Sequence, residues 1–470
     1  MKSKLPFLSR NALLLGAALA SMWIVWLAKP AIATLTTDRY LFLAGLQTVL
    51  CGLGAALVWN RTSSRASFWI VLATSALLHL IMLWQKPTLS DDIYRYIWDG
   101  RVQAAGLNPY RYIPADPHLA FLRDELIYPH INRRDYAPTI YPPGAQMFYF
   151  AVTRVSESLV WFKTALLACE GVTIWLLARL LVSCKLPPAR VLIYAWNPLV
   201  LWEFSSGHID FLMTALVLGA LWARRRNREA LTGLLLGGAA LVKFLPLAIL
   251  PALYRRWGWK VPVACAATIA CAYLPYLSAG TGVFGFLPGY TGEEGMGDGR
   301  FFLLLLARHL TGGLGISTIA YLGLCFGALL LLSGCALWRW NTARLGFLLS
   351  AGVLGAAFLF ILSPQYPWYW VWLTPLLAFL PRPFLWPMLY VGSAALLQYG
   401  KWFDDWQWFG IGINPFLARD ILQFVPALFV LAGFTFLRHR RGDDGVLLPA
   451  FRGESIKWGG APRLSRVTKE

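Results

Sequence analysis

"LSDDIYRYIWDGRVQAAGLNPYRY", residues 89–112, follows an apolar run over residues 67–85. That run is long enough to cross a bilayer core of ~30 Å, and the quoted stretch is where it ends. Two adjacent carboxylates, Asp91 and Asp92, stand at the exit, with Tyr, Arg and Trp crowded behind them. The mouth of a membrane span and the end of a soluble helix would both read this way locally. The rest of the chain decides between them.

Of 470 residues, 58% are hydrophobic and only 14% are charged. A soluble globular chain carries about a quarter charged residues. Apolar runs of about 20 residues recur along the length, each able to span a bilayer. The fold class expected is an all-α polytopic membrane protein. The +19 net charge does not indicate nucleic acid. The Lys and Arg fall in short loops and at both termini, as the positive-inside bias and anionic lipid head groups require. The 23 Trp suit aromatic belts at both interfaces. The seven Cys include no C-x-x-C pair, so neither a disulfide framework nor a zinc spacing is read. The basic, then apolar start ending in Ala-Ile-Ala resembles a signal peptide, but Lys29-Pro30 interrupts it, and a retained first helix is expected.

Length and loop charge predict about twelve spans with both termini inside. Three N-terminal spans fill residues 1–85, at 11–29, 40–59 and 67–85. A long outer segment, 86–158, bears interfacial helices. The helical core, 159–437, has spans at 159–182, 190–204, 210–223, 261–277, 315–337, 345–362, 367–380, 384–400 and 417–437. Within it, residues 230–254 have basic flanks on both sides, and Lys243 and Pro246 interrupt them. They are read as a re-entrant pair of half-helices, since broken backbone at membrane depth is tolerated where it lines a cavity. An outer loop covers 278–300, "KWFDDWQWFGIG" (401–412) is another outer turn, and 438–470 is a basic cytoplasmic tail. With this topology most carboxylates, including Asp91, Asp92, Asp99, Glu203, Asp210, Glu293 and Glu294, fall at or near the outer face.

A carboxylate partly withdrawn from water at a helix end suits a general base that takes a proton from an alcohol. Spacings of three and four put Asp91 and Asp92 on one helical face with Arg95 and Tyr96. The plainer reading, two acids marking where a helix meets water, leaves "IYRYIWDG" unexplained. Arg95 and Arg101 lie on the same segment as candidate phosphate-binding cations, or as snorkelling interface residues. His208 in "SSGHID" stands two residues before Asp210. Lys243 is an intramembrane cation, functional by default. Arg300 follows the flexible "EEGMGDG" and could close over a phosphate, although an ordinary loop charge explains it as well. Tyr366 belongs to "SPQYPWYW", a cavity lining or an aromatic belt.

The order of these motifs resembles a known family. "SDDIYRYIWDGRVQAAGLNPYRY" followed by "IYPPGAQ" is similar to the first outer loop of the membrane-embedded GT-C glycosyltransferases. It resembles most the polyprenol-phosphomannose-dependent mannosyltransferases of actinobacteria and, more distantly, the first GPI mannosyltransferase. Laid on Tyr94 and Asp99, the family's first Asp falls on Asp91, its Pro-Tyr on Pro109-Tyr110 and its Tyr-Thr-Pro on Tyr141-Pro142-Pro143. Similar segments continue to about residue 380. The second Asp of the family's D-x-D is Ile93 here, with Asp92 one place earlier, so the base is Asp91 or Asp92. Two helices precede the acidic loop beyond the family's usual start.

The resemblance implies an inverting glycosyltransferase. It would move a sugar, mannose on family grounds, from a polyprenyl-phosphate donor to a hydroxyl of a glycan, lipid or protein acceptor. The reaction would take place on the outer face of a bacterial plasma membrane. Arg95, Arg101, His208, Lys243 and Arg300 would face the donor phosphate. Tyr94, Tyr96, Asp99, Tyr110, Tyr141, Asp210 and Tyr366 would contact substrate. No cofactor is required, because cations can stabilise the leaving phosphate; a divalent metal is left open. The rival reading is a lipid-linked-sugar transporter or flippase, which shares the helix count but needs no poised carboxylate and often carries internal repeats.

Overall fold

A computed structural model describes residues 7–33, 37–59, 64–254, 258–313, 315–340, 345–400 and 414–440. Among the described residues there is no strand, and the chain is an all-α polytopic membrane protein. It opens with three long apolar helices, α1 (Phe7–Ala33), α2 (Thr37–Val58) and α3 (Arg65–Leu83). Ser64 caps α3, its hydroxyl accepting from the Ser67 amide at 3.0 Å. The segment that follows carries α4 (Asp92–Ala104), two short 3-10 turns and α5 (Pro143–Thr153). α6 (Leu159–Ser183) then returns along the bundle, capped by Ser158.

The chain next folds into shorter pieces: α7 (Leu192–Ala195), α8 (Pro198–Ser206), α9 (Asp210–Arg225) and α10 (Glu229–Ala240). After a break come a 3-10 turn over Leu245–Ile249 and α11 (Leu250–Leu253). The break explains the doubly basic flanks. Arg224, near the end of α9, donates to the Leu253 carbonyl at 2.8 Å, while α10 starts four residues after α9 ends. Both feet of 229–253 therefore stand at one end of α9. Its apex reaches the other end, where Lys243 bonds Asp210 and the Leu241 carbonyl accepts from the Ala145 amide. The segment goes up and comes back.

The remaining helices are α12 (Lys260–Tyr273), α13 (Leu287–Glu293), α14 (Phe302–Leu310), α15 (Thr318–Cys335), α16 (Gly346–Leu362), α17 (Arg382–Ala394) and α18 (Pro415–Arg440). Among the described residues, seven helical segments are long and apolar enough to cross a membrane. Several other expected spans are shorter or broken. Residues 190–204 are split between α7 and α8 by Asn197-Pro198, 367–380 form a 3-10 stretch around Pro375, and 384–400 pass from α17 into a 3-10 turn. Proline removes a backbone donor and clashes with the preceding turn, so such segments must be packed within the bundle. The expected turn at 401–412 and the tail beyond 440 lie outside the described residues.

Two local devices seat the Asp92 end of the bundle. Lys163, buried near the start of α6, donates to the carbonyls of Met82, Leu83 and Gln85, so the carbonyls at the end of α3 and just beyond it are tied to α6. Gly207 ends α8 in the left-handed region at φ +76°, and a Cβ there would stand 2.6 Å from Ile93 Cδ1. Only glycine lets the α8–α9 turn, with His208 in it, close onto α4.

Candidate functional site

α4 starts at Asp92, with Asp91 in the preceding cap position, its side chain making no capping bond. Successive helical residues are turned ~100° apart, and the two acids diverge accordingly. Asp91 is exposed, whereas Asp92 turns inward with a side chain 14% exposed. Partial burial and the neighbouring Asp92 charge hold the Asp91 carboxyl above its ordinary value.

Asp92 sits in a cage of donors. Asn132 Nδ2 donates to Oδ1 at 2.6 Å, and the Tyr141 hydroxyl to Oδ2 at 3.1 Å. The Tyr96 hydroxyl stands 3.5 Å from Oδ2. Behind it, His208 Nδ1 lies 3.8 Å from Asp92 Oδ2, and its Nε2 lies 3.2 Å from Glu203 Oε2. Glu203 is fully buried and accepts from the Tyr399 hydroxyl at 3.0 Å. His208 is stacked on Trp368 at 4.2 Å, and Trp368 on Tyr366 at 4.4 Å. Burial pushes the His208 pKa down to about 3, although the Asp92 charge opposes it; the imidazole is neutral at ordinary pH.

Asp92 opens into a cleft of about 600 Å³ whose lining includes Asn132, Arg133, Tyr141, Lys243, Tyr290, Tyr366 and Tyr369. Two cations thus share the cleft with the carboxylate. Lys243 Nζ is held by Asp210 Oδ2 at 2.6 Å. Arg133 donates to Glu293 Oε2 at 2.6 Å and lies over the Tyr290 ring at 5.3 Å. Its backbone adopts φ +53°, an uncommon conformation for a non-glycine residue and one found at functional sites. A second, mainly apolar cleft of about 820 Å³ adjoins the first, sharing Ile140, Tyr141, Lys243, Tyr290 and Tyr369 with it.

Several sequence expectations fall elsewhere. The shared face of Asp91, Asp92, Arg95 and Tyr96 splits in two: Tyr96 accompanies Asp92, while Arg95 turns away. Arg95 Nε donates to Asp99 at 2.8 Å and Nη1 to the Ala137 carbonyl, leaving both residues buried as an internal tie. Gln146 completes the Asp99 shell at 2.9 Å. Neither Arg95 nor Asp99 lines the cleft. Arg101 is engaged by Asp124 and Glu157, each at 2.7 Å, which joins α4 to the segment after it and to the approach to α6. Arg300 lies over the Phe416 ring at 4.7 Å, outside both clefts. Tyr94 stacks near His130 at 4.8 Å, and Tyr110 donates to the Tyr141 carbonyl at 2.7 Å, one layer behind the lining. Asp210 reaches the cleft only through Lys243. An unpaired guanidinium or carboxylate is costly to bury, and for Arg95, Asp99, Arg101 and Asp210 an internal partner has claimed the charge.

The cleft also gathers residues not named as site candidates from the sequence: Asn132, Arg133, Tyr290 and Tyr369, with Glu203 behind. "YPHINRRDY" carried a usable signal. Two adjacent arginines in a segment expected on the outer, acidic side run against the positive-inside bias and call for partners.

Residues 8–259, more than half the chain, match the family described as alpha-(1->6)-mannopyranosyltransferase, N-terminal domain. The chain is 26% identical over 382 residues to a protein of Mycolicibacterium smegmatis named as a probable alpha-(1->6)-mannopyranosyltransferase, covering 66% of each. It is 38% identical over 97 residues to GPI mannosyltransferase 1 of Aspergillus fumigatus, covering 19% of this chain and 23% of that one. The chain thus spans just under two thirds of the first relative's length and under a quarter of the second's. No solved structure matches it.

Proposed function

The chain belongs to the alpha-(1->6)-mannopyranosyltransferase family, and from that premise we propose that it is an inverting mannosyltransferase drawing on a polyprenyl-phosphate mannose at the outer face of a bacterial plasma membrane. The observation that carries this reading is the joined pair of clefts. A polar chamber holding a carboxylate and two cations continues into an apolar one, with Lys243 on the boundary. A sugar on a lipid phosphate has that polarity: sugar and phosphate in the first chamber, prenyl chain in the second.

In this reading Asp92 is the base and Asp91 is not. The acceptor hydroxyl gives its proton to Asp92 as its oxygen attacks the anomeric carbon from the face opposite the phosphate. The bond between that carbon and the phosphate oxygen breaks, and its electron pair leaves with the polyprenyl phosphate. Inversion to an α linkage requires a β-linked donor. Lys243 and Arg133 stand where the leaving charge grows, so they lower the barrier more than they tighten donor binding. Tyr141 and Asn132 fix the Asp92 rotamer. The acceptor is a hydroxyl-bearing glycan, lipid or protein.

The test is transfer from polyprenyl-phosphate mannose to an oligomannoside by the full chain in a bilayer. Wild type forms the glycosidic bond. Asp92→Asn loses about 10²–10⁴ of the rate, the range of a general base, while still binding donor, and Asp91→Asn stays within a few fold. Full activity of Asp92→Asn would remove the base assignment. Passage of the sugar-lipid across the bilayer without bond formation would support a flippase instead.

A further inference from the structure

A carboxylate stands in the chamber assigned to the prenyl chain. Glu294 lines the second cleft, whose walls are otherwise mainly apolar, and does not line the first. Resting on the donor placement given above, with sugar and phosphate in the first cleft and chain in the second, we propose that Glu294 selects a single-phosphate linkage. It does so by repelling the second phosphate of a diphosphate-linked sugar.

The end of α13 places the acid there. Glu293, the last residue of α13, reaches the Asp92 segment, where Arg133 donates to it at 2.6 Å. Glu294 follows as the cap residue, turned ~100° from Glu293. Its amide donates to the Tyr290 carbonyl at 3.0 Å, so it stands one turn beyond Tyr290. Tyr290 lines both clefts, and Glu294 therefore lies on the chain side of their boundary. Helix stability does not call for an acid at this end, because the C-terminal dipole favours cations.

Neighbouring cations are already engaged. Arg133 is paired with Glu293, Lys243 with Asp210 and Arg419 with Asp420. Among the described residues no cation forms an ion pair with Glu294, which is only 7% exposed. Burial lifts its pKa above the ordinary value, while the Tyr290 hydroxyl and the more distant charges of Arg133 and Arg419 oppose that rise.

A sugar joined to a lipid through one phosphate is a diester with a single negative charge; a diphosphate carries two. The first phosphate meets Lys243 and Arg133. A second must lie further along the path to the chain, past Lys243, in the cleft that Glu294 lines. Like charges brought together in a partly desolvated wall are poorly screened and repel strongly. A prenyl chain at the same place carries no charge. Discrimination then comes from a repulsive group set against the wrong ligand, with no contact added for the right one.

The experiment measures competition against radiolabelled polyprenyl-phosphate mannose for the full chain in a bilayer at pH 8, without acceptor. The competitors are β-mannosyl citronellyl phosphate and β-mannosyl citronellyl diphosphate. Wild type prefers the monophosphate by about tenfold or more, Glu294→Gln brings the two within about threefold, and Glu294→Lys reverses the order. Glu293→Gln weakens both competitors alike and keeps their ratio, because it acts through Arg133 on the first cleft. An unchanged ratio in Glu294→Gln, with the labelled donor still bound by wild type, overturns the role of Glu294 alone. Loss of the labelled donor from Glu294→Gln also overturns it, since the residue would then bind the donor. Failure of wild type to bind the labelled donor overturns the donor reading, and the selection by Glu294 with it.

Discussion

Lys243 Nζ lies 2.6 Å from Asp210 Oδ2, joining the apex of residues 229–253 to the first residue of α9. The carboxylate is fully buried and the ammonium 12% exposed, so the pair presents a cation to the cleft and keeps the acid behind it. Lys243→Met leaves Asp210 buried without its partner, a change that costs about 3–5 kcal/mol of stability when the pair is wholly desolvated. The double variant Lys243→Met/Asp210→Leu restores stability and not transfer. Equal unfolding temperatures for wild type and double variant, with kcat/KM down by about 10² or more, would separate the phosphate role from the structural one. Transfer recovered by the double variant would remove Lys243 from the chemistry.

The loop holding α13 is tied to the Asp92 segment by Glu293, which accepts from Arg133 at 2.6 Å and from the Tyr136 hydroxyl at 2.9 Å. Arg133 therefore has its direction set from 160 residues away. Glu293→Gln keeps a hydrogen-bond acceptor but not the charge, so the guanidinium loses its anchor and the donor KM rises several fold. Arg133→Lys keeps the charge and loses the planar fork, and kcat falls as well. Donor titrations on the two variants check the difference; matching losses in KM alone would make Arg133 a binding residue only.

How far the sequence reaches is visible at particular residues. The long apolar helices follow from apolar length, and the break at Lys243 from a cation in an apolar run three residues before a proline, both local signals. Choosing between Asp91 and Asp92 needs the phase of α4, which a one-residue uncertainty at the helix start leaves open. Arg95 and Arg101 carry the same charge as Arg133 and stand nearer the acids in sequence, yet Asp99, Asp124 and Glu157 claim them. Such pairings join residues up to 56 positions apart and become readable only in the folded chain. Glu203 lies in an apolar helix with no periodic signal. Its role emerges only when Gly207 turns His208 toward it.

His208 supplies a pH test. Its folded pKa, about 3, lies below the ordinary 6.5, so the unfolded chain binds a proton that the native site refuses. Stability linked to this residue is full above pH 6.5 and falls as pH drops from there toward 3. His208→Gln flattens that part of the stability curve. Thermal unfolding followed between pH 7.5 and 4 reads the slope, and the same slope in the variant would contradict a buried neutral imidazole.

The clamp of Arg101 on Asp124 and Glu157 makes the last prediction, in a lower pH window. Partial burial works against the Asp124 charge, but the Arg101 bond and the amides of Ile127 and Tyr128 prevail, and its pKa falls from 3.8 to about 2. A carboxyl depressed on folding stabilises the native state above its unfolded pKa and loses that contribution as pH falls through the folded value. The clamp therefore holds above pH 4 and is lost toward pH 2. About a third of the Asp124 side chain is exposed, so solvent screening keeps the effect small, and Glu157 shares the same guanidinium. Asp124→Asn removes this acid dependence and leaves transfer at pH 7 within a few fold, because the clamp lies outside the cleft. Limited proteolysis of the 105–142 segment at pH 5 and pH 2.5 distinguishes the cases. Wild type becomes more susceptible at pH 2.5, and Asp124→Asn is already susceptible at pH 5. A variant as resistant as wild type at pH 5 would show that Glu157 alone holds Arg101.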